Sequence, residues 1–456
     1  MKENSRIYLE IFLISLLIFL PKWICSYYFF PNEDLLIKTL LDIKDVHYFL
    51  NVISFSNFDL TPSFNEFIEA KKIITFPFFS IIIHSFFYKI IGYSSFIFLE
   101  LLFIFFSILI FFKILQKLEL NKAYSLFVVA IYFSLPFILN TLNIINLSQV
   151  SILQNLVSDF IGSRFPRPLV TNIFLLFGIY FLIKLQKELI EKRTPKSIIS
   201  ISVIMALQIN SFFYFFLIQG ISTIILLIIY KKKSLFKYIL NHNKLIIKSL
   251  LIGSIGLIIF LLQSFVGEDD YSNRMSVIFI DFNDKIFLIK YFFSNLLRME
   301  VVIFIVISLS LFFYIKKTFN KKNNQINLFI IFIISSFLST IFFILLSSKI
   351  ISLYQFANIF LFSFVLFIFI SIILIINNLK FLRNLITKYR FLIYFFIFFS
   401  GIIFTSSNLI NKDQRHNYAK VNNIIKQLKF NNTDAYLFTN NLNVQVGWLF
   451  NGLNNI

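Results

Sequence analysis

Ser197–Tyr230 reads SIISISVIMALQINSFFYFFLIQGISTIILLIIY, 34 residues without one charged side chain. As a single helix it would be ~51 Å long, whereas ~20 apolar residues already cross the hydrocarbon core of a bilayer. Its flanks decide the reading. Lys192, Arg193 and Lys196 precede it, and Lys231, Lys232 and Lys233 follow it. Clustered Lys and Arg stay on the cytoplasmic side of a membrane. Both ends therefore belong on one face, and the chain must run out and return. The turn is expected at Gln208-Ile209-Asn210.

Working outward, further apolar runs lie near 7–27, 73–91, 93–113, 123–140, 168–186, 247–266, 298–316, 327–347, 353–377 and 391–407. The whole chain is 58% hydrophobic and only 14% charged, against roughly 25% charged in soluble domains. The composition points to one all-α polytopic bundle and excludes a string of soluble domains. The net charge of +20 sits in short clusters between apolar runs, which is the positive-inside signature and argues against nucleic-acid binding. The single cysteine, Cys25, forms no internal disulfide and suggests no metal-thiolate site. The first run follows Lys2 and Arg6 but lacks a small-residue cleavage site near Ile24–Ser26, so it reads as a retained span.

The 73–91 run has the length of a span but carries Pro77, His84 and Lys89. If it crossed, parity would place every later Lys-rich loop outside. It reads instead as a juxtamembrane helix at the outer interface. With these decisions the chain crosses eleven times. Basic loops at 113–122, 184–196, 231–248, 316–325 and 378–390 lie in the cytoplasm with the N-terminus. Two acid-bearing loops, 28–72 and 267–297, lie outside, and a bacterial inner (plasma) membrane is the expected location. The transmembrane domain covers 1–407, with 28–92 as an outer loop bearing juxtamembrane helices. From 408 to 456 the composition turns polar, with the pattern of the start of a small α/β domain on the outer side. That segment stops at Ile456 before it holds enough to bury a core, as in an incomplete copy of a longer protein.

Candidate chemistry collects on the outer side. Glu33 and Asp34 follow directly on the first span, where adjacent carboxylates can act as general base or hold a divalent cation; acids also simply populate an outer loop. His47 and His84 are candidate substrate contacts, although a lone histidine is more often structural. Arg164 and Arg167 flank Phe165-Pro166 on the face where positive charge is sparse. Their paired donors suit phosphate, with pairing to loop acids or lipid headgroups as the plainer reading. Lys349 is a similar outer cation. Glu100 lies inside a span, where an ionisable group is costly and so a functional candidate, or else a helix-packing contact. Lys22 is close enough to the outer end of its span to snorkel. There is no P-loop, Gly-rich dinucleotide, HExxH or GxSxG pattern, so any chemistry uses membrane-embedded or outer residues.

The order of these features resembles the N-terminal half of the GT-C-fold membrane glycosyltransferases, the protein O-mannosyltransferase and aminoarabinose transferase type. An acid pair follows span one, Ile74–His84 leads through Lys89-Ile90-Ile91-Gly92 into a span headed by Tyr93-Ser94-Ser95-Phe96, and Arg164–Pro168 enters a later span. The likeness covers about residues 1–230 at the level of pattern. Here the acid pair reads Glu33-Asp34, the family's double proline is reduced to Pro77 after Phe76, and Glu100 lies near where such families carry arginine. The resemblance implies transfer of a sugar from a polyprenyl-phosphate donor, its prenyl tail between spans. Asp34 or Glu33 would deprotonate the acceptor, and Arg164 or Arg167 would stabilise the departing phosphate. The competing reading is a transporter or flippase for a lipid-linked or small solute. Such proteins tend to show internal repeats and Gly- or Pro-broken spans, and this chain shows no clear repeat and has 10 Gly and 8 Pro. A non-catalytic scaffold in envelope assembly is a third.

Overall fold

The computed structural model describes residues 2–31, 35, 38, 46–58, 77–144, 151–231, 234–266, 282–318, 323–346 and 350–409. Every regular element among them is a helix: α1 (Lys2–Phe29), α2 (Val46–Ser56), α3 (Phe78–Ile91), α4 (Ser94–Lys117), α5 (Lys122–Ile144), α6 (Ser151–Ile161), α7 (Leu169–Ile190), α8 (Ser197–Lys231), α9 (Leu235–Asn241), α10 (Asn243–Val266), α11 (Phe282–Leu296), α12 (Met299–Thr318), α13 (Asn323–Leu346), α14 (Ile350–Asn378) and α15 (Lys380–Leu409). Ten of these are long and apolar enough to cross a membrane: α1, α4, α5, α7, α8, α10, α12, α13, α14 and α15. The chain is a multi-pass membrane protein. The α/β segment expected at 408–456 falls almost wholly outside the described residues.

The 35-residue α8 does not run straight. Its first residue, Ser197, bonds to Glu188 near the end of α7 through its hydroxyl at 2.8 Å and its amide at 3.1 Å. Its last residues return to the same place. The Tyr230 hydroxyl accepts from Gln186 at 2.9 Å, and the Lys231 ammonium donates to the Leu189 carbonyl at 3.2 Å. The helix breaks at Phe212, whose φ of −155° and ψ of 81° are not helical. Met205 then faces Gly220 across the two arms, and Gln208 and Gln219 meet at Gly178 of α7. The out-and-back course agrees with the basic flanks. The turn is not at Gln208–Asn210, because those side chains serve the helical arm. Gln208 donates to the Phe174 carbonyl at 3.2 Å, and Asn210 donates to Ala206 at 3.0 Å and to Gly256 of α10 at 2.9 Å. A buried amide bonded to neighbouring backbone stabilises the arm it belongs to.

We call the end of the bundle where α1 finishes the upper end. α1 and α15 run parallel: Glu10 near the start of α1 meets Arg390 and Tyr394, while Pro21 and Cys25 further on meet Gly401 and Ile402. α4 starts at the top, where Glu100 reaches Lys22. α5 ends there, with Asn140 donating to Ser407 at 3.2 Å, and α14 ends at the bottom, where the Tyr124 hydroxyl donates to the Ile373 carbonyl at 3.3 Å. Among the described residues ten helices are long and apolar enough to cross, and α8 among them turns back on itself. With α8 counted twice the number is odd, in keeping with parallel α1 and α15.

α3, with 14 described residues of ~21 Å, is a shorter apolar helix and not among the ten candidate spans. It packs at the upper end, where Ser85 donates to the Val52 carbonyl of α2 at 2.9 Å. Gly92 then turns the chain into α4. Its φ of +60° is open to glycine without the steric clash a Cβ brings, and its amide closes α3 on the Tyr88 carbonyl at 2.8 Å.

Candidate functional site

At the upper end, residues 162–168 join α6 to α7 and carry both arginines. α6 holds one apolar face in the core, with Leu156, Val157, Phe160 and Ile161 buried and Phe160 stacked 4.6 Å from Phe362 of α14. This leaves Asp159 half-buried beside the loop. Phe165 fixes the loop from below, its ring 4.2 Å from His84, 5.1 Å from Phe49 and 6.4 Å from Phe96. The Phe165-Pro166 and Arg167-Pro168 peptides are cis. Loop carbonyls then satisfy the first amides of α7: Leu169 donates to Arg164, Val170 to Pro166 and Asn172 to Pro168, at 3.1, 3.1 and 2.8 Å. These are the helix donors that have no partner within the helix itself.

Arg167 reaches across the top of the bundle. Its Nη1 donates to Gln355 Oε1 of α14 at 2.9 Å, and its guanidinium lies 4.9 Å from the ring centroid of Phe212 at the α8 turn. Asp159, Tyr48, Arg164 and Tyr214 are its charged and phenolic neighbours. Burial lowers its proton affinity and Arg164 adds to this, while Asp159 and the two tyrosines oppose it. The Asp159 carboxyl is pushed above the usual carboxylate range by burial, against the pull of Arg167 and Arg164. Both guanidinium groups thus stand near Asp159 in a partly desolvated place. That arrangement suits an anion through paired donors and supplies one carboxylate that can take a proton.

The expected residues fall into three sets. Arg164 and Arg167 come together. His84 and Glu100 lie beneath them. The His84 ring is buried among Phe165, Phe96 and Phe103, with Nδ1–H donating to the Ser80 carbonyl at 2.9 Å. Burial pushes its pKa down to about 3, against the raising effect of that bond, so it is a neutral packing group under the loop. Glu100 Oε2 accepts from the Lys22 ammonium at 2.7 Å, which is the helix-packing alternative for that residue. The third set is not placed. Glu33, Asp34 and Lys349 lie outside the described residues, and His47 lies in the first turn of α2 with its side chain outside the description. Among the described residues no three His, Cys, Asp or Glu side chains gather as a metal site; the divalent-cation expectation concerned Glu33 and Asp34.

Sequence reasoning missed Asp159, Gln355, Phe212 and Tyr214. Asp159 had a signal, being an acid five residues before Arg164 in a short segment between spans. Gln355 had none, since it joins the site from 188 residues away. Compared with protein-family models, curated proteins and solved structures, the chain matches none.

Proposed function

We propose that the chain is a membrane glycosyltransferase of GT-C type, which moves a sugar from a polyprenyl-phosphate donor to an acceptor hydroxyl. The carrying observation is the Arg164–Arg167 pair, held half-buried at the upper end with Asp159 as an acidic neighbour. Arg167 is seated on the α8 break, its guanidinium 4.9 Å from the Phe212 ring centroid.

In the reaction, the acceptor oxygen attacks the anomeric carbon and its proton passes to a carboxylate, Asp34 or Glu33. The carbon–oxygen bond to phosphate breaks, and its electron pair stays on the phosphate oxygen, which the two guanidinium groups stabilise. Asp159 is a second carboxylate within reach of the same charges. The charge rule orients the molecule: Lys117, Lys192, Arg193 and Lys388 stand at the lower end, which is the cytoplasmic face of a bacterial inner membrane. The arginine site then opens outside, toward lipid-linked donors and membrane lipids.

The test is binding and turnover in lipid nanodiscs with a polyprenyl-phosphate sugar. Wild type should cleave the glycosidic bond. Replacing Arg164 and Arg167 by Lys keeps charge but loses the planar forks, and should lower activity with normal membrane insertion. Full activity after both are changed to Ala would remove the phosphate role. Movement of the donor across vesicles without cleavage would establish the transporter reading instead.

A further inference from the structure

At the lower end α8 finishes at Lys231 and α10 begins at Asn243, and the seven-residue α9 lies in the connection between them. Tyr238 fastens α9 to the bundle. Its ring lies 4.8 Å from the Lys231 ammonium, which itself donates to the Leu189 carbonyl of α7 at 3.2 Å. No residue of α9 is buried, and an apolar face is left uncovered. Phe236 and Leu240, one turn apart on that face, are 76% and 54% exposed, and Ile247 of α10 is 54% exposed. Lys237, Lys244 and Lys248 are exposed on the same two helices, and residues 231–266 contain no Asp or Glu. Among the described residues none of these three lysines forms an ion pair. The connection between α7 and α8 differs, since there Glu191 pairs with Arg193 at 2.9 Å and with Lys187 at 3.8 Å.

We propose that α9 and the first two turns of α10 form a binding site for an anionic phospholipid of the adjacent leaflet. Phe236, Leu240 and Ile247 lie against its acyl chains, and Lys237 and Lys244 meet its phosphate. Lys248 stands one turn deeper in α10, and its four-carbon stem returns the ammonium to the level of the headgroups. The occupant follows from the two properties together. An acidic peptide in water would match the lysines but leave Phe236 uncovered. A zwitterionic lipid would cover Phe236 but leave the lysine charge uncompensated. A lysine beside a span favours an anionic leaflet roughly fivefold. The site lies at the opposite end of the bundle from the arginine loop and does not depend on the function proposed for it.

The experiment uses the full chain in nanodiscs of mixed phosphatidylcholine and phosphatidylglycerol. Asn241→Cys at the end of α9, in a Cys25→Ser background, carries a bimane label. A small share of one lipid or the other has brominated acyl chains, which quench the label on contact. Brominated phosphatidylglycerol should quench more strongly than brominated phosphatidylcholine at equal content. Each of Lys237→Gln, Lys244→Gln and Lys248→Gln should lower that preference roughly fivefold. Lys113→Gln, the same charge change on α4, should leave it intact. All four lysines are exposed, so the fold is common to every arm. Equal quenching by the two lipids without any substitution in the lysines overturns the anionic preference. Quenching by neither means that water, a second copy of the chain or another protein covers α9, and overturns the lipid occupant. Loss of the preference on adding soluble glycerol phosphate would assign the site to a free anion and also overturns it. A fall as large in Lys113→Gln as in Lys237→Gln would reduce the preference to overall charge, and the proposal would be wrong.

Discussion

Arg167 draws its significance from where its charge sits, since a guanidinium over the Phe212 ring and bonded to Gln355 is held away from bulk water. Asp159 tunes that charge, and the direction of its shift gives a testable sign. Burial raises its pKa, so as the pH falls Asp159 takes up a proton before an ordinary carboxylate would. The protonated form no longer competes with an anion for the guanidinium groups. A prenyl phosphodiester, whose single charge is constant in this range, should bind more tightly as pH falls toward the carboxylate range. Asp159→Asn should bind tightly throughout and show a flatter pH profile; a steeper profile in this variant would contradict the assignment. His84 makes the opposite kind of prediction. Its folded pKa of about 3 lies below its ordinary 6.5, so the unfolded chain binds the proton better. The stability it contributes is present above about 6.5 and lost as pH falls, by up to ~1.4 kcal/mol per pH unit. His84→Phe fills the same ring cluster and should weaken the acid dependence of the thermal midpoint, while an unchanged profile would mean the ring is not buried neutral. At this scale Arg164 and Arg167 were legible because cations are scarce in the loops that the charge rule assigns to the outside. Their partners were not, because no local pattern marks a glutamine or a phenylalanine that arrives from another helix.

Among the elements, α8 shows what sequence conveys and what it hides. The basic clusters around Ser197–Tyr230 imply a doubled-back run, since the charge rule acts on loops that any reader can see. The turn position depends instead on which backbone carbonyls Gln208 and Asn210 find, and those belong to α7 and α10. The same packing distinguishes two glycines on α10. A Cβ at Gly256 would stand 2.6 Å from Ala206 Cα of α8, whereas a Cβ at Gly253 would meet nothing within 4 Å. Gly256→Ala should therefore destabilise by about 1–3 kcal/mol through overpacking. Gly253→Ala, one turn away on the same helix, should be neutral or stabilising by up to ~1 kcal/mol from helix propensity. Thermal unfolding in detergent compares the two directly, and equal effects would show that α8 and α10 do not approach closely at Gly256. Glu10 and Arg390 form another contact between elements, a two-pronged pair of 3.0 and 3.1 Å that also takes the Tyr394 hydroxyl at 3.0 Å. It lay beyond sequence reasoning because it joins residues 380 positions apart. Arg390→Met alone strands a buried carboxylate and should cost ~3–5 kcal/mol, whereas Glu10→Leu with Arg390→Met should cost much less; a double variant no better than the single would contradict the pairing.

For the whole molecule, the spans were legible because each needs only length and apolarity, which are local properties. Which helices touch was not, and the parallel packing of α1 and α15 is the contact that fixes the parity of everything between them. That parity depends on two decisions, that α3 does not cross and that α8 crosses twice, and on it rests the placement of the arginine loop opposite the basic loops. Single cysteines in a Cys25→Ser background, labelled on intact cells with a membrane-impermeant maleimide, test both decisions together. Asn57→Cys after α2 and Asn411→Cys after α15 should label at once, and Arg193→Cys between α7 and α8 only after permeabilisation. Labelling of Asn57→Cys and Arg193→Cys from the same side would mean that α3 crosses, and labelling of Arg193→Cys and Asn411→Cys from the same side would mean that α8 does not double back.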